Sequence, residues 1–229
     1  MKYIRIFNTH QDYQNYRKSA DFLEPNMSLC EDLNEVHFNK YHPKVVAKFN
    51  ITDTSSATVI GAVGIDGTAE ILFKRVEVDG VILDAPVANY QFTTTGEHIV
   101  RYTSISDLVI ATYAFKDADK MTEVTIPDMV TEIHPQAFDG CTGLTDVTIG
   151  SGITLIDTGV FSNTPNVESF TVLATTPPRL SNTQSVPIDA LNNGKCTIYV
   201  PAESVDTYKT TGLWANDGIK EHIQAIPTA

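Results

Sequence analysis

The sequence predicts a mainly β protein, in which a small antiparallel β-sandwich-like domain precedes a short solenoid of repeats with a helical C-terminal cap. Apolar residues recur every 23 residues between positions 110 and 172. Between Lys44 and about Ser104, apolar and polar residues alternate instead, which is typical of half-buried strands. The predicted parts are an N-terminal anchoring or assembly segment (1–43), the sandwich-like domain (44–104), the solenoid (105–200) and the cap (201–229).

The repeat is defined by six apolar columns in one register. Phenylalanine fills one column, at Phe115, Phe138 and Phe161. Each copy combines a short alternating strand, a loop, an isoleucine, and Ala or Val before the phenylalanine, and 23 residues is a typical length for a leucine-rich repeat. We expect alternate strand side chains to face a common core. The other columns are Ile110, Ile133 and Ile156; Ala114, Ala137 and Val160; Met121, Leu144 and Val167; Val124, Val147 and Phe170; and Ile126, Ile149 and Val172.

The turn after each phenylalanine is predicted to hold a left-handed residue. Asp117, Gly140 and Asn163 occupy this position, and these residue types tolerate positive φ. The next position holds Ala118, Cys141 and Thr164. All three are small, which suits a tight buried corner, so Cys141 is interpreted as a small core residue.

The stretch "MTEVTIPDMVTEIHPQAFDGCTGLTDVTIGSGITLI" (121–156) resembles the BspA-like leucine-rich repeat, with its Ile-Pro strand end and its Ala-Phe-x-Gly-Cys corner. The resemblance extends over about residues 105–229 and implies the solenoid fold. The ending "YVP…Tyr-Lys…Trp…Ile" resembles the family's C-terminal cap, which implies that it closes the solenoid. The resemblance implies less about function, because such repeats occur on bacterial surface proteins, on secreted adhesins and in phage genomes.

The segment "DFLEPNMSLCEDLNEVHFN" (21–39) resembles an N-terminal module of uncharacterised and virion-type proteins from Bacteroidales and their crAss-like phages. This resemblance implies a phage particle as the setting. The beginning of the chain, "MKYIRIFNTHQDY", contains no apolar h-region, so no secretory signal peptide is expected in this chain.

Residues 44–104 contain short strands separated by turns. "VEVDGVIL" (76–83) predicts a hairpin, because Asp-Gly supplies the two positive-φ positions of a type I′ turn. Tyr90 and Phe92 predict one further strand, and the alternating residues after Gly96 predict another. About sixty residues is small for a sandwich, so we expect this region to share a hydrophobic junction with the first repeat and cap it.

After Val172 the register changes. The next strand ends at Val200, a step of 28 residues, which predicts a five-residue insertion before the last layer. Ala190-Leu191 then replaces the Ala-Phe pair. "PAESVDTYKTTGLW" (201–214) predicts a helix with proline in its first turn and glycine near its end.

Composition excludes several functions. The net charge of −12 argues against phosphate neutralisation, so no nucleic-acid partner is expected. No apolar run approaches membrane-spanning length, so no membrane insertion is expected. The three cysteines lie far apart and form no C-x-x-C pair, which argues against a disulfide framework or a cysteine-zinc site.

Catalytic and metal-binding motifs are not recognisable in the sequence. G-x-S-x-G, H-E-x-x-H, P-loop and EF-hand patterns are missing, so we expect no enzyme, no metal and no cofactor. His37 and His42 are interpreted as ordinary surface or strand histidines. His98 is in phase with buried strand positions and is expected to be partly buried and hydrogen-bonded. His134 is expected on a repeat loop as surface decoration.

The sequence therefore favours a non-enzymatic structural or interaction protein. The first hypothesis is a phage virion component (a fibre, decoration or adaptor protein) that contacts other virion proteins and forms a homo-oligomer, with a trimer favoured. The alternative is a bacterial cell-surface adhesin, or a glycan- or protein-binding module, that contacts a host-surface protein or glycan. Either would bind through an exposed repeat face, although ordinary solvent-facing threonines are the simpler interpretation of it. The candidate binding residues are Thr122, Thr125, Thr145, Thr148, Ser169 and Thr171.

Overall fold

The structure is a computed structural model that describes residues 45–61, 73–84, 87–104 and 109–228. The predictions for the N-terminal segment 1–43, including the resemblance of residues 21–39 and the interpretation of His37 and His42, lie outside these residues. The described residues belong to one compact unit, Pro43–Ala229.

The described part of the chain is mainly β, as predicted, with three short α-helices. The helices are α1 (Ile188–Asn192), α2 (Val205–Thr210) and α3 (Asp217–Lys220), and 3₁₀ turns span Thr183–Ser185, Ala202–Ser204 and Gly212–Ala215. The strands are β1 (Val45–Ile51), β2 (Thr58–Val59), β3 (Phe73–Val78), β4 (Val81–Ile82), β5 (Asn89–Tyr90), β6 (Gly96–Ser104), β7 (Val109–Ile110), β8 (Met121–Ile126), β9 (Glu132–Ile133), β10 (Asp146–Ile149), β11 (Leu155–Ile156), β12 (Ser169–Val172), β13 (Arg179–Leu180), β14 (Thr197–Val200) and β15 (Ile223–Ala225).

Each repeat contributes one strand to each of two sheets. The first is a nine-stranded sheet in the order β15-β14-β12-β10-β8-β1-β6-β3-β4, and the second is a four-stranded sheet in the order β13-β11-β9-β7. Strands β8, β10 and β12 pair in parallel, and residues exactly one repeat apart are partners, as with Val124, Val147 and Phe170. All six predicted columns are buried, so the predicted register is confirmed.

The phenylalanine column forms a stack through the three repeats. The ring centroids of Phe115 and Phe138 are 4.9 Å apart with an interplanar angle of 10°, and those of Phe138 and Phe161 are 5.2 Å apart at 4°. Tyr102 ends the stack edge-on against Phe115, and Phe170 does so against Phe161. Such ring pairs contribute about 0.5–1.5 kcal/mol beyond their burial, so the stack stabilises neighbouring repeats against each other.

The turn after each phenylalanine is left-handed in all three repeats. Asp117, Gly140 and Asn163 have φ values of 61°, 77° and 55°, which confirms the prediction. In addition, a second left-handed column precedes the phenylalanines, although only one of its three residues is a glycine. It consists of Tyr113, Gln136 and Gly159, with φ of 60°, 56° and 66°. Backbone hydrogen bonds to the next repeat, such as Gln136 N–H to the Thr158 carbonyl at 3.1 Å, hold this unfavourable geometry.

The N-terminal edge of the repeat sheet is covered by β1. This strand pairs antiparallel with β8 on one side and with β6 on the other, and its alternate residues are buried. The core of residues 45–104 is therefore continuous with that of the repeats, as expected for a shared junction. The predicted separate β-sandwich is not confirmed, because β1, β6, β3 and β4 extend the repeat sheet. Among the described strands before residue 105, only β2 and β5 pair apart from it.

The predicted hairpin at 76–83 is present. Val78 pairs with Val81 across a turn in which Asp79 and Gly80 have φ of 50° and 85°, as a type I′ turn requires. The two strands expected around Gly96 exist as β5 and β6, but they do not pair with each other. Instead β5 pairs with β2, because β6 is occupied on both sides by β1 and β3.

The C-terminal layer follows the predicted step of 28 residues. Ser169 pairs with Thr197 in parallel, and Ala190 and Leu191 are both buried in α1. The predicted helix at 201–214 is wrong in extent, because α2 has only six residues and Gly212 begins a 3₁₀ turn with φ of 51°. The cap is also not purely helical: β15 adds an edge strand to the nine-stranded sheet.

Two buried side chains attach the cap to the last repeat. The Tyr208 hydroxyl donates to the Ala174 carbonyl at 2.8 Å, and the Trp214 indole N–H donates to the Pro178 carbonyl at 2.7 Å. The two aromatic donors of the cap thus satisfy carbonyls in the segment that follows β12, which closes this end of the core.

Candidate interaction surface

The outer face of β8, β10, β12 and β14 is the side of the nine-stranded sheet turned away from the core. Alternation along these strands buries one set of side chains and leaves the other partly or fully exposed. Since parallel partners lie about 4.8 Å apart, equivalent residues form straight rows across the strands. One row, called here the hydroxyl row, consists of Thr125, Thr148, Thr171, Tyr199 and Gln224.

A second row runs beside it. Lys48 pairs with Glu123, Glu123 with Asp146, Asp146 with Ser169, and Ser169 with Thr197. The row is charged near β1 and neutral near β14. Of the six predicted binding residues, the structure therefore brings Thr125, Thr148, Thr171 and Ser169 together on the outer face.

Thr122 and Thr145 lie apart from this surface. A register shift between β1 and β8 falls at this point, so Thr122 is out of the alternating pattern. Its hydroxyl donates to the Lys48 carbonyl at 3.3 Å, and the Thr145 hydroxyl donates to the Thr122 carbonyl at 3.0 Å. The Thr145 hydroxyl also lies 2.8 Å from a carboxylate oxygen of Asp146. Both hydroxyls are therefore engaged within the protein, which supports a structural role rather than contact with a ligand.

The hydroxyls on the outer face differ from those of Thr122 and Thr145, because they have no hydrogen-bond partner in the described protein. Within the part of the chain that the structure describes, the side chains of Thr125, Thr148, Thr171, Ser169 and Thr197 form no hydrogen bond to another residue. They are partly or fully exposed, so water satisfies them and a ligand could replace that water.

At the charged end of the second row, Lys48 forms ion pairs with neighbouring glutamates. Lys48 Nζ lies 2.9 Å from a Glu123 carboxylate oxygen and 3.8 Å from one of Glu97. The hydrogen bond that Lys48 donates to the Glu123 carboxylate is the main reason that the pKa of Lys48 lies above its ordinary value. Because these groups are exposed, the ion pairs contribute little to stability.

A third set of residues follows the ends of these strands and is mostly apolar. Pro127, Gly150, Leu173 and Pro201 occupy these positions, and Leu173 retains 37% of its exposure. Gly150 has no space for a side chain, because a Cβ would lie 2.5 Å from the backbone of Asp128. On β8 and β10 the outer face therefore changes from charged to neutral polar along the strands, whereas on β12 and β14 it is neutral polar from the start. The residues after the strand ends are mostly apolar.

The outer side of the four-stranded sheet carries several polar residues. His134 Nε2 lies 3.1 Å from a Glu132 carboxylate oxygen, in agreement with the surface role expected for His134. Burial raises the pKa of Asp157, but hydrogen bonds from Ser181 and Thr158 outweigh it and hold the pKa below its ordinary value. Asp157 lies between His134 and Ser181, because β11 is between β9 and β13 in the sheet. A catalytic triad needs the histidine between the acid and the serine, so these three residues are not arranged as a triad.

His98 is buried and hydrogen-bonded, as predicted. Its Nδ1 lies 2.7 Å from Asp79 and its Nε2 lies 2.9 Å from the Thr94 carbonyl. Burial raises the pKa of Asp79, but the hydrogen bonds from His98 and the Ile99 N–H hold it below its ordinary value. The ring thus fixes the type I′ turn, because Asp79 is a residue of that turn.

Asp139 is a buried carboxylate at the corner of the second repeat. Gln136 and Asn163 donate hydrogen bonds to it at 3.1 and 2.8 Å, and Lys116 forms an ion pair with it. Burial raises the pKa of Asp139, but the bonds from Lys116 and Asn163 outweigh this and lower it. These partners come from three consecutive repeats, so the network is structural. Lys116 and Asn163 are 23 and 24 residues away from Asp139, so no local pattern in the sequence indicates this network.

Cys141 is fully buried, as predicted for the corner position. Its thiol donates to the Phe115 carbonyl at 3.1 Å, and burial raises its pKa. Burial likewise raises the pKa of Cys196 to about 12. Neither thiol is suited to nucleophilic chemistry, since the thiolate is the reactive form.

Residues 45–61, 73–84, 87–104 and 109–228 contain no group of three His, Cys, Asp or Glu side chains placed to hold a metal ion. Among the same residues, no helix is long and apolar enough to cross a membrane.

Comparison with known families identifies the repeats. The model of the BspA type leucine rich repeat region (6 copies) matches residues 108–184, which is about a third of the chain. These residues are therefore similar to the BspA-type leucine-rich repeat region, and the predicted resemblance is confirmed for them. No curated protein matches the chain. The resemblance of residues 21–39 to virion-type proteins is without support from these comparisons.

Proposed function

We propose that this chain is a non-enzymatic structural or interaction protein whose repeats form a short solenoid and bind a partner through the outer face. The observation that carries this proposal is that some threonine hydroxyls are hydrogen-bonded within the protein and others are not. The hydroxyls of Thr122 and Thr145 bond to other groups of the protein. Those of Thr125, Thr148 and Thr171 form a straight row and bond only to solvent. A surface with such groups on rigid strands is preorganised for binding, because little side-chain freedom is lost.

The biological setting we propose is a phage particle, with the chain as a fibre, decoration or adaptor protein in contact with other virion proteins. The support is the resemblance of residues 21–39 to virion-type modules. A bacterial cell-surface adhesin that contacts a host protein or glycan is the second candidate, which the match to BspA-type repeats favours as much. In both settings the outer face contacts the partner.

Cell binding by the labelled full chain tests the role of the outer face. Intact Bacteroidales cells and cultured mammalian epithelial cells would be compared by flow cytometry, with the double variant Thr148→Lys/Thr171→Lys. Two long cations on one row should reduce binding at least tenfold, because they fill the space above the strands. Thr142→Lys, at an exposed turn off the outer face, is the matched control. Equal binding by both variants would disprove the assignment of this face.

Solution mass distinguishes the two settings. Light scattering after size exclusion would compare the full chain with residues 44–229. A trimer that dissociates without residues 1–43 would favour the virion component, with residues 1–43 as its assembly segment. A monomer in both samples would favour the adhesin, or an adaptor that assembles only on its particle.

A further inference from the structure

The end of the outer face nearest the cap has a distinct composition. Here Tyr199 lies between Thr171 and Gln224 in the hydroxyl row, and Ser169 and Thr197 are partners in the adjacent row. These five residues are called the Tyr199 patch. None of them is charged, although the chain as a whole has a net charge of −12. The patch therefore complements a neutral ligand better than a charged one.

The hydrogen-bonding groups of the patch are available to a ligand. No side chain of the Tyr199 patch forms a hydrogen bond to another residue within the described ranges. Hydroxyl groups both donate and accept, and the Gln224 amide offers one of each function. Such groups pair with other hydroxyls in either direction, whereas carboxylates and ammonium groups do not.

Tyr199 supplies a ring on this surface. Other large aromatic residues of the repeats and the cap, such as Phe161, Phe170, Tyr208 and Trp214, are fully buried, while Tyr199 is partly exposed and contacts no other described ring. A tyrosine on a strand is held with little loss of conformational entropy, and it offers an apolar ring with a polar tip. The ring can therefore cover the apolar C–H side of a flat ligand while its neighbours bind the polar edge.

We propose that the Tyr199 patch binds a neutral carbohydrate chain, with Tyr199 under one sugar ring and the hydroxyls of Thr171, Thr197 and Ser169 on its hydroxyl groups. Strand spacing of about 4.8 Å places successive hydroxyls roughly one sugar ring apart. The inference rests on the proposed function, because it names the ligand of the same outer face.

Affinity electrophoresis of the full chain in gels that contain a soluble polysaccharide tests this assignment. The neutral probes are yeast mannan, galactomannan, xyloglucan and soluble starch, and the anionic probes are polygalacturonate and heparin. We expect retardation by at least one neutral probe and by neither anionic probe. Tyr199→Ala should weaken that binding about tenfold, from the loss of ring contact.

Thr171→Val is the subtler variant, because it removes one hydroxyl and keeps the volume. It should weaken binding about threefold or more, as the loss of one hydrogen bond predicts. Thr142→Val, off the outer face, should leave binding unchanged. Thermal unfolding of each variant separates a loss of binding from a loss of folding.

Retardation by no neutral probe, retardation by the anionic probes only, or equal binding by Tyr199→Ala would overturn the inference. In those cases, cell binding that Thr148→Lys/Thr171→Lys still abolishes would keep the outer face as an interaction surface for a protein partner. Failure of both experiments would reject the proposed function as well.

Discussion

Residues on the two sides of the nine-stranded sheet recur with the same 23-residue period. On the inner side the repeated residues are buried and pack together, whereas on the outer side they are partly or fully exposed. On the inner side, Phe115, Phe138 and Phe161 stack at 4.9 and 5.2 Å and are fully buried. On the outer side, Thr125, Thr148 and Thr171 form an equally regular row that stays partly or fully exposed. Regular spacing alone therefore does not reveal which residues stabilise a repeat protein, because burial decides that.

The largest effect should come from the inner side. Phe138→Ala removes the middle ring of the stack and leaves a cavity between two rings that are themselves fixed. The free energy of unfolding should fall by roughly 3–5 kcal/mol, which is typical of a buried phenylalanine. Urea denaturation of the variant and the native chain measures this. A change near zero would contradict the inner stack, and Phe138→Leu should show a smaller loss.

The next effect comes from Asp139, the charged exception on the inner side. Asp139→Asn should cost about 1–3 kcal/mol at neutral pH, because hydrogen bonds to a buried charge are lost. Since the folded pKa lies below the unfolded value, this stability is present above about pH 4 and is lost as the pH falls through the folded pKa. Urea denaturation from pH 7 to pH 3 should show the two proteins converging, whereas exposed Asp206→Asn should cost little at pH 7. If the free energies of unfolding of the two proteins differed by the same amount at every pH, the charge of Asp139 would not be the source of the stability.

A smaller effect is expected at the edge of the strand. Thr145→Val removes the hydroxyl that donates to the Thr122 carbonyl at 3.0 Å. The loss should be about 1 kcal/mol, the ordinary contribution of one hydrogen bond. Thermal or urea denaturation measures it. No loss at all would place Thr145 with the outer-face threonines and weaken the distinction between them.

The smallest effect should come from the outer side. Thr148→Val keeps shape and strand propensity and removes a hydroxyl that bonds only to solvent, so stability should change by no more than about 0.5 kcal/mol. The same denaturation measurement applies, and Thr145→Val is its matched partner. A loss above 1 kcal/mol would show that the hydroxyl row stabilises the fold, which would remove the main argument for a binding role.

Much of this fold was predictable because repeats carry their register in the sequence. The columns of Phe138 and Cys141, and the left-handed turn at Gly140, followed from spacing and residue type. The second left-handed column did not, because Tyr113 and Gln136 are ordinary residues whose geometry is imposed by hydrogen bonds to the next repeat. The extent of the cap helix was likewise missed, because the backbone is extended at Thr211 and has positive φ at Gly212. The strand β15 was missed because its partner β14 is distant in sequence.

The candidate site was likewise predictable from the sequence only in part. Alternation predicted an exposed face, and Thr125, Thr148, Thr171 and Ser169 lie on it. Thr122 and Thr145 were grouped with them because sequence cannot show the register shift between β1 and β8. Tyr199 and Gln224 were missed, because the 28-residue step and a strand in the cap separate them from the regular repeats. Tyr199 could have been predicted by aligning "CTIYVP" (196–201) with the earlier repeat strands.

The sequence by itself determined the repeat, its period, the buried columns and the left-handed corner, because each depends on residues within one or two repeats. Only the tertiary structure decided that β1, β6, β3 and β4 continue the repeat sheet, that Asp139 joins three repeats, and that Tyr199 stands beside Thr171. These features depend on strand pairing between distant segments. The free energy of such pairing comes from surfaces that exist only once the chain is folded, so no local pattern records it.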